Sequence, residues 1–247
     1  MRYFIELTYD GTPFVGWQQQ PNGKSVQSCL EEALQTLLQR PIAVVGAGRT
    51  DAGVHARQLF AHADLADAMN QNLKFRLNKL LPRAIAVKNI LPVKDDAHAR
   101  FDATARRYSY HITTQKDPFL ENQAYYFSKS LDLERMNQAA SMIVDHDDFK
   151  CFSKSKTDVK TYFCDVQLAY WEQHGNHLVF SIQANRFLRN MVRAIVGTLI
   201  ELGLHQMSLS DFKSILQSRD RSKAGYSVPA HGLYLESVSY PKHIFAV

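Results

Sequence analysis

The sequence predicts an α+β protein made of two halves, each ordered roughly β-α-β-β-α-β. The sheets of the halves join into one mixed, mostly antiparallel sheet with the helices packed on one side. Three observations carry this. Strand-like and helix-like stretches follow each other as strand, helix, strand, strand, helix, strand up to residue 93. A similar order returns after residue 98. No Gly/Pro/Ser-rich linker separates the halves, so we expect units at 1–102 and 103–247 in the ferredoxin-like, RRM-like pattern. A chain of 247 residues is long enough to bury a substantial core.

Residues 2–9 alternate, with Tyr3, Ile5, Leu7 and Tyr9 on one face and Arg2, Glu6 and Thr8 on the other. Asp10-Gly11 ends that strand. Ser25 is an N-cap in front of VQSCLEEALQTLLQ, and Pro41 stands just past the helix end. IAVV (42–45) reads as a buried strand and LFAHADL (59–65) as the next. NLKFRLNKLL (72–81) is helical and stops at Pro82, and IAVKNILPV (85–93) is a strand. In the second half HARFDATARRYSYHITT (98–114) is a long strand region, and DLERMNQAASMIV (132–144) a helix capped by Asp132. TYFCDVQLAYWE and HLVFSIQAN flank His174-Gly175-Asn176, a hairpin signal. RFLRNMVRAIVGTLIEL (186–202) is the strongest helical pattern and Gly203 ends it. A short helix near 209–218 and a strand, LYLESVSY (233–240), complete the order.

Net charge is +5 with a pI near 9.0, and the bases cluster at Arg100, Arg106 and Arg107 and at Lys150, Lys154, Lys156 and Lys160. Such clusters suit a polyanion. No apolar run approaches membrane-span length, and the N-terminal stretch alternates instead of forming a signal-peptide core. The expectation is a soluble, cytoplasmic protein without a membrane partner. Cys29, Cys151 and Cys164 are scattered, which suggests neither a zinc site nor a disulfide framework. Gly46-x-Gly48 lacks the third glycine of a dinucleotide fingerprint, because Asp51 stands there. Gly11 and Gly16 begin like a P-loop, but Trp17-Gln18 replace its Lys and Ser/Thr. No G-x-S-x-G or H-E-x-x-H occurs, so no nucleophile elbow or metal site is expected.

One acid draws attention. In GAGRTDAGVHARQ (46–58), Asp51 sits between Arg49-Thr50 and Ala52-Gly53. An Asp before Ala-Gly is ordinarily a turn residue. Here Arg49 shares its face on an extended stretch, and Arg57 follows closely. On the helix 186–202, Leu188, Val192, Ile195 and Leu199 form a core stripe, while Arg189 and Arg193 lie four apart. The apolar company of Arg193 turns it inward. A buried Arg needs a carboxylate, and Asp51 is the candidate. Gly197 on the same line allows a close backbone approach. Tyr108 shares a strand face with Tyr110 beside Arg106-Arg107, the composition of a base-stacking surface.

The chain closely resembles the bacterial tRNA pseudouridine synthases of the A type. YDGTPFVGWQQQP (9–21), GRTDAGVHA (48–56), HARFDATARRYSY (98–110), DDF (147–149), FLRNMVRAIVGTL (187–199) and GLYLESVSYP (232–241) match that family in order and spacing. The resemblance implies that Asp51 is the nucleophilic or essential carboxylate, that Arg193 pairs with it, that Tyr108 stacks on the target uracil and that Arg49 helps displace the base. It implies tRNA contacts at His98, Arg100, Arg106, Arg107, Lys154 and Lys156. It also implies a homodimer acting on anticodon stem-loop uridines with no cofactor and no metal. Gln58-Leu59 depart from a Gly-Gln pair, suggesting a different turn after the catalytic loop, and Arg186 fills a position that is usually small. The alternative is a non-catalytic RNA-binding protein with two RRM-like halves, which gives no reason for Asp51, since a carboxylate facing phosphates weakens binding. A carboxylate-pair hydrolase needs a second acid, and Asp64 and Asp67 are the nearest later ones.

Overall fold

The computed structural model describes residues 1–65, 72–154 and 159–245. The α+β class is as expected. The chain divides into two compact units, Met1–Thr104 with Tyr234–Val247, and Ala105–Leu233.

The first unit holds β1 (Arg2–Tyr9), α1 (Val26–Leu38), β2 (Val45–Gly46), β3 (His55–Asp64), α2 (Leu73–Leu80) and β4 (Ile85–Pro92). Its sheet runs β4, β1, β3, with β2 added on β3, and every one of these pairs is antiparallel. The late strand of the sequence returns here and pairs in parallel with β3, His55 opposite Tyr234 and Ala56 opposite Leu235. Ser25 caps α1 in a reciprocal box with Ser28. Helices α1 and α2 pack on each other, and α2 lies against β4. Strand β1 is buried on both faces, which its alternation did not suggest. Phe4 packs against Phe60, Tyr240 and Phe245, and the Glu6 carboxylate accepts from Gln58 at 2.8 Å and Asn89 at 2.6 Å.

The second unit holds β5 (Ala105–Thr113), β6 (Tyr125–Tyr126), α3 (Leu133–Val144), β7 (Val166–His174), β8 (His177–Ala184), α4 (Met191–Gly203) and α5 (Leu209–Ser218), and β9 (Leu233–Ser239) follows it. Here β8 sits between β5 and β7, antiparallel to both, and the hairpin turns at Gly175 as expected. Strand β6, with no signal in the sequence, pairs in parallel with the end of β5. Helix α3, capped by Asp132, packs on β7 and against α4 and α5.

Four expected boundaries are corrected. Residues 42–44 do not form a strand, and only Val45 of the expected stretch belongs to β2. Val44 donates its N–H to Glu31 at 2.9 Å and its carbonyl accepts from Gln27 at 3.2 Å, so α1 side chains take the bonds a strand partner would. Strand β3 starts at His55, four residues earlier than the apolar run, and Gln58-Leu59 lie inside it and not in a turn. The strand expected over 98–114 begins only at Ala105, because residues 98–102 close on themselves: the His98 N–H reaches the Asp102 carboxylate at 2.7 Å, and the Asp102 N–H the His98 carbonyl at 3.0 Å. Helix α4 begins at Met191, not 186, since Asn190 is left-handed at φ 66° and its amide donates to Ser227 at 2.6 Å instead of capping the helix. Arg189 therefore precedes the helix on which Arg193 stands. Gly203 is its last helical residue, and Leu204 closes it by bonding the Ile200 and Leu202 carbonyls. No described helix is long and apolar enough to cross a membrane.

Gly197 lies against the carbonyl of Tyr226, and a Cβ there would run into that oxygen. Alanine would raise helix propensity by roughly 1 kcal/mol, but overpacking costs about 1–3 kcal/mol. We expect Gly197→Ala to lower the melting temperature. A value at or above that of the parent protein would show that the backbone near Tyr226 yields.

Candidate active site

The acid singled out by the sequence stands on the connection from β2 to β3. That connection is held from both ends. The Ala47 N–H donates to the Phe60 carbonyl at 2.7 Å, and the Val54 N–H to the Asp51 carbonyl at 3.1 Å. The second bond closes the turn Asp51-Ala52-Gly53-Val54, with Gly53 at φ 77°, the left-handed position a type II turn gives to glycine. The backbone of Asp51 is thus a turn residue, as the plain reading has it. Its half-buried side chain and the exposed Arg49 stand on the same short connection.

The end of β1 and the segment after it grip this turn. The Tyr9 hydroxyl and Thr50 Oγ1 meet at 2.8 Å in a buried bond, and the Trp17 N–H donates to the Thr50 carbonyl at 3.1 Å. Gly16, at φ 107°, lies flat against the turn: a Cβ would collide with the Thr50 carbonyl oxygen and come within 3.1 Å of the Asp51 carbonyl carbon. The Gly11 N–H points at His55 Nδ1 at 3.1 Å, and the buried His55 ring stacks on Tyr234 at 4.5 Å. Arg57 covers Tyr234 at 5.1 Å and pairs with Glu236 at 3.2 Å, so this base supports the strand under the turn. Gln58 bridges β1 and β9, donating to Glu6 at 2.8 Å and accepting from the Val238 N–H at 3.1 Å.

Elsewhere in the same unit His62 is buried, and its Nδ1 accepts from the Ala99 N–H at 3.1 Å. Burial, with help from His98 and Arg2, pushes its pKa down to about 4. Burial also lowers the pKa of His98, whose Nδ1 accepts from the Arg100 N–H at 3.1 Å. The exposed Arg100 guanidinium lies 5.6 Å from the Phe101 ring.

In the second unit Tyr108 stands on β5 opposite Ile182, half-buried, with Phe187 edge-on at 5.1 Å. Tyr110 is fully buried and donates to the Pro229 carbonyl at 2.9 Å, so it is a core residue and not a second stacking ring. Arg106 donates to the Asn185 carbonyl at 2.8 Å, and the half-buried Arg107 reaches across β8 to the Tyr170 hydroxyl on β7 at 3.0 Å. On α4, Arg193 Nε donates to the Val228 carbonyl at 2.7 Å. Lys154, Asn190, Arg193, Arg221 and Ser227 line one hollow. Lys156 and Asp67 fall outside the described residues.

The sequence reading missed Tyr9, Trp17 and Thr50, which grip the turn, and Asn190, Arg221 and Ser227 beside α4. The first three lie within or beside quoted motifs, so the signal was present without its reason. Thiol chemistry has no support here, because burial pushes Cys151 up to about 12 and Cys164 up to about 11. Among the described residues no three of His, Cys, Asp or Glu stand together as a metal site requires.

The position of His62 generates a pH dependence. Its folded pKa of about 4 lies below the ordinary 6.5, so the unfolded chain takes up the proton first. Its stability contribution is complete above pH 6.5 and is lost as the pH falls toward 4. Urea unfolding across this range should show that loss, and His62→Asn, which keeps an acceptor for Ala99, should flatten it. Equal slopes would assign the acid sensitivity elsewhere.

The sequence profile of the family described as tRNA pseudouridine synthase matches residues 7–102 and 139–241. A protein named tRNA pseudouridine synthase A from Porphyromonas gingivalis is 54% identical over 250 residues, covering 99% of each chain. One of the same name from Parabacteroides distasonis is 52% identical, covering 100% of this chain and 98% of its own. A more distant one from Shewanella amazonensis is 42% identical, covering 98% and 94%. The matched stretches contain the Asp51 turn, the segment that grips it, α4 and the strand that returns to β3. This chain therefore belongs to the tRNA pseudouridine synthase family.

Proposed function

We propose that the protein isomerises uridine to pseudouridine in tRNA, at the anticodon stem-loop, with Asp51 as the essential carboxylate. The observation that carries this reading is the gripped turn: an acid in a basic protein, on a connection whose backbone is bonded at Ala47, Thr50 and Val54. Positioning of this kind is what a reacting group needs, since small misplacements of catalytic groups are costly.

The reaction breaks the N1–C1′ bond and joins C1′ to C5. The C5 proton leaves and N1 gains a proton, so no external atom is required and no cofactor is called for. An ionised carboxylate supplies the nucleophile or the stabilising charge. The target base must first leave its stack, at a cost of a few kcal/mol. Arg49, exposed beside Asp51, fills the place the base vacates, and the Tyr108 ring stacks on the displaced uracil. Arg193 pairs with Asp51 and compensates its charge. His98, Arg100, Arg106, Arg107, Lys154 and Lys156 contact the tRNA, and the protein acts as a cytoplasmic homodimer. Arg193 Nε donates to the Val228 carbonyl, which fixes where the guanidinium stands on α4.

Asp51→Asn keeps the shape and removes the charge. We expect no release of tritium from C5-labelled uridine in tRNA, with tRNA affinity retained or improved. Turnover by this variant would overturn the role of Asp51.

At Tyr108, stacking needs a ring and proton transfer needs the phenol. Base–aromatic contacts are worth about 1–3 kcal/mol on alanine substitution, and positioned proton transfer on the order of 10²–10⁴-fold. We expect Tyr108→Ala to lose most activity, and Tyr108→Phe to keep tRNA affinity but stall after glycosidic cleavage. In single-turnover kinetics, parental rates for the Phe variant would leave stacking alone. Equal loss of binding in both variants would make Tyr108 a core residue.

A further inference from the structure

A hollow lies beside the start of α4. Among the described residues its lining consists of Lys154, Asn190, Arg193, Arg221 and Ser227. Three of these are cations, two are uncharged hydrogen-bonding groups and none is a carboxylate. The sequence offers no reason for the grouping, since Lys154, Arg193 and Arg221 come from three separate segments.

The hollow is also built. The Arg221 guanidinium is pinned through Nη1 to the carbonyls of Ala224 at 3.1 Å and Gly225 at 3.0 Å, and through Nη2 to Ser227 Oγ at 3.0 Å. The same hydroxyl accepts from the Asn190 amide at 2.6 Å. The Lys154 N–H is tied to the Arg189 carbonyl at 3.0 Å, which fixes the backbone from which that lysine extends. The floor is the start of α4. Asn190 is its N-cap and makes no side-chain capping bond, and the first turn carries no acidic residue. The start of a 13-residue helix, whose dipole is positive at that end, thus borders the hollow.

We infer that this hollow is a binding site for one phosphate group of the RNA backbone, with Arg221 and Lys154 as its charged ligands and Ser227 and Asn190 as the frame that aims Arg221. The inference rests on the tRNA reading above and deepens it, because it assigns Arg221, Asn190 and Ser227 a substrate contact. Arg193, the residue proposed to pair with Asp51, forms one wall of the hollow. A phosphodiester fits this donor set: guanidinium and ammonium groups match its two non-bridging oxygens, and a fixed guanidinium loses little freedom on binding.

Charge can be separated from shape at Ser227. A carboxylate there would still accept from Asn190 and Arg221, so Ser227→Asp should fold, but it puts a negative charge where the phosphate lies. Ser227→Asn is the neutral control of the same size. We expect the Asp variant to bind an anticodon stem-loop RNA roughly ten- to a hundredfold more weakly than the Asn variant. Its slope of log affinity against log salt should be shallower by about one phosphate contact. In a scan of RNAs carrying a single neutral methylphosphonate linkage, one linkage should weaken binding to the parent protein and have no further effect on the Asp variant. Equal affinity and slope for the Asp and Asn variants, or additive effects at every linkage, would overturn the site while conversion of uridine in bulk tRNA by the parent protein leaves the activity standing. Absence of that conversion would instead remove the activity. Inorganic phosphate binding that is lost in Ser227→Asp without any linkage response would reassign the hollow to a free anion and overturn the RNA assignment.

Discussion

The contact on which the first unit depends is between two stretches of backbone: Gly16-Trp17 against Thr50-Asp51. The Trp17 N–H bonds the Thr50 carbonyl at 3.1 Å, and Gly16 lies so close that no Cβ fits. A turn carrying a polar, reactive residue would ordinarily be mobile, because a connection between strands has few apolar contacts to hold it. Here the order comes from the end of β1 and the segment after it, which contribute a buried hydroxyl bond from Tyr9, a backbone bond from Trp17 and the flat face of Gly16. Everything proposed for Asp51 requires that the turn stay where this contact puts it.

The sheet beneath the turn explains why the C-terminal strand returns to the first unit. Strand β9 pairs with β3 at the point where β3 leaves the turn, and it brings Tyr234 under His55 and Glu236 to Arg57. The Gln58 side chain, accepting from Val238 and donating to Glu6, bonds across both neighbours of β3. Gln58 and Leu59 lie in mid-strand and leave the turn untouched. In the second unit the corresponding organisation is electrostatic. Helix α4 starts without a side-chain capping bond and without an acid, so its positive end adds to the bases of Arg193, Arg221 and Lys154.

Much of the fold was legible because periodicity and caps are local. Ser25 and Asp132 cap the helices they were expected to cap, and the hairpin turns at Gly175. The failures share a cause. At 42–44 the apolar pattern was real, but α1 side chains took the backbone bonds of Val44. At 98–104 and 186–190 the pattern continued past the true end of the element, because side chains of Asp102 and Ser227 captured groups that a strand or a helix cap would have used. Local pattern reports which residues are apolar, and it does not report which polar partner the fold brings within 3 Å.

The sequence by itself determined the α+β class, the order of its elements and the acid at Asp51 with its motif. These follow from short-range spacing and from residue types that few chemistries use. Only the tertiary structure decided that Tyr110 is core while Tyr108 stays half-buried, that Arg57 and Arg107 brace strands, and that three bases from separate segments meet beside α4. The physical reason is the same in each case. Burial and charge pairing are set by neighbours distant in the chain, and a side chain's spacing along its own strand or helix carries no information about them.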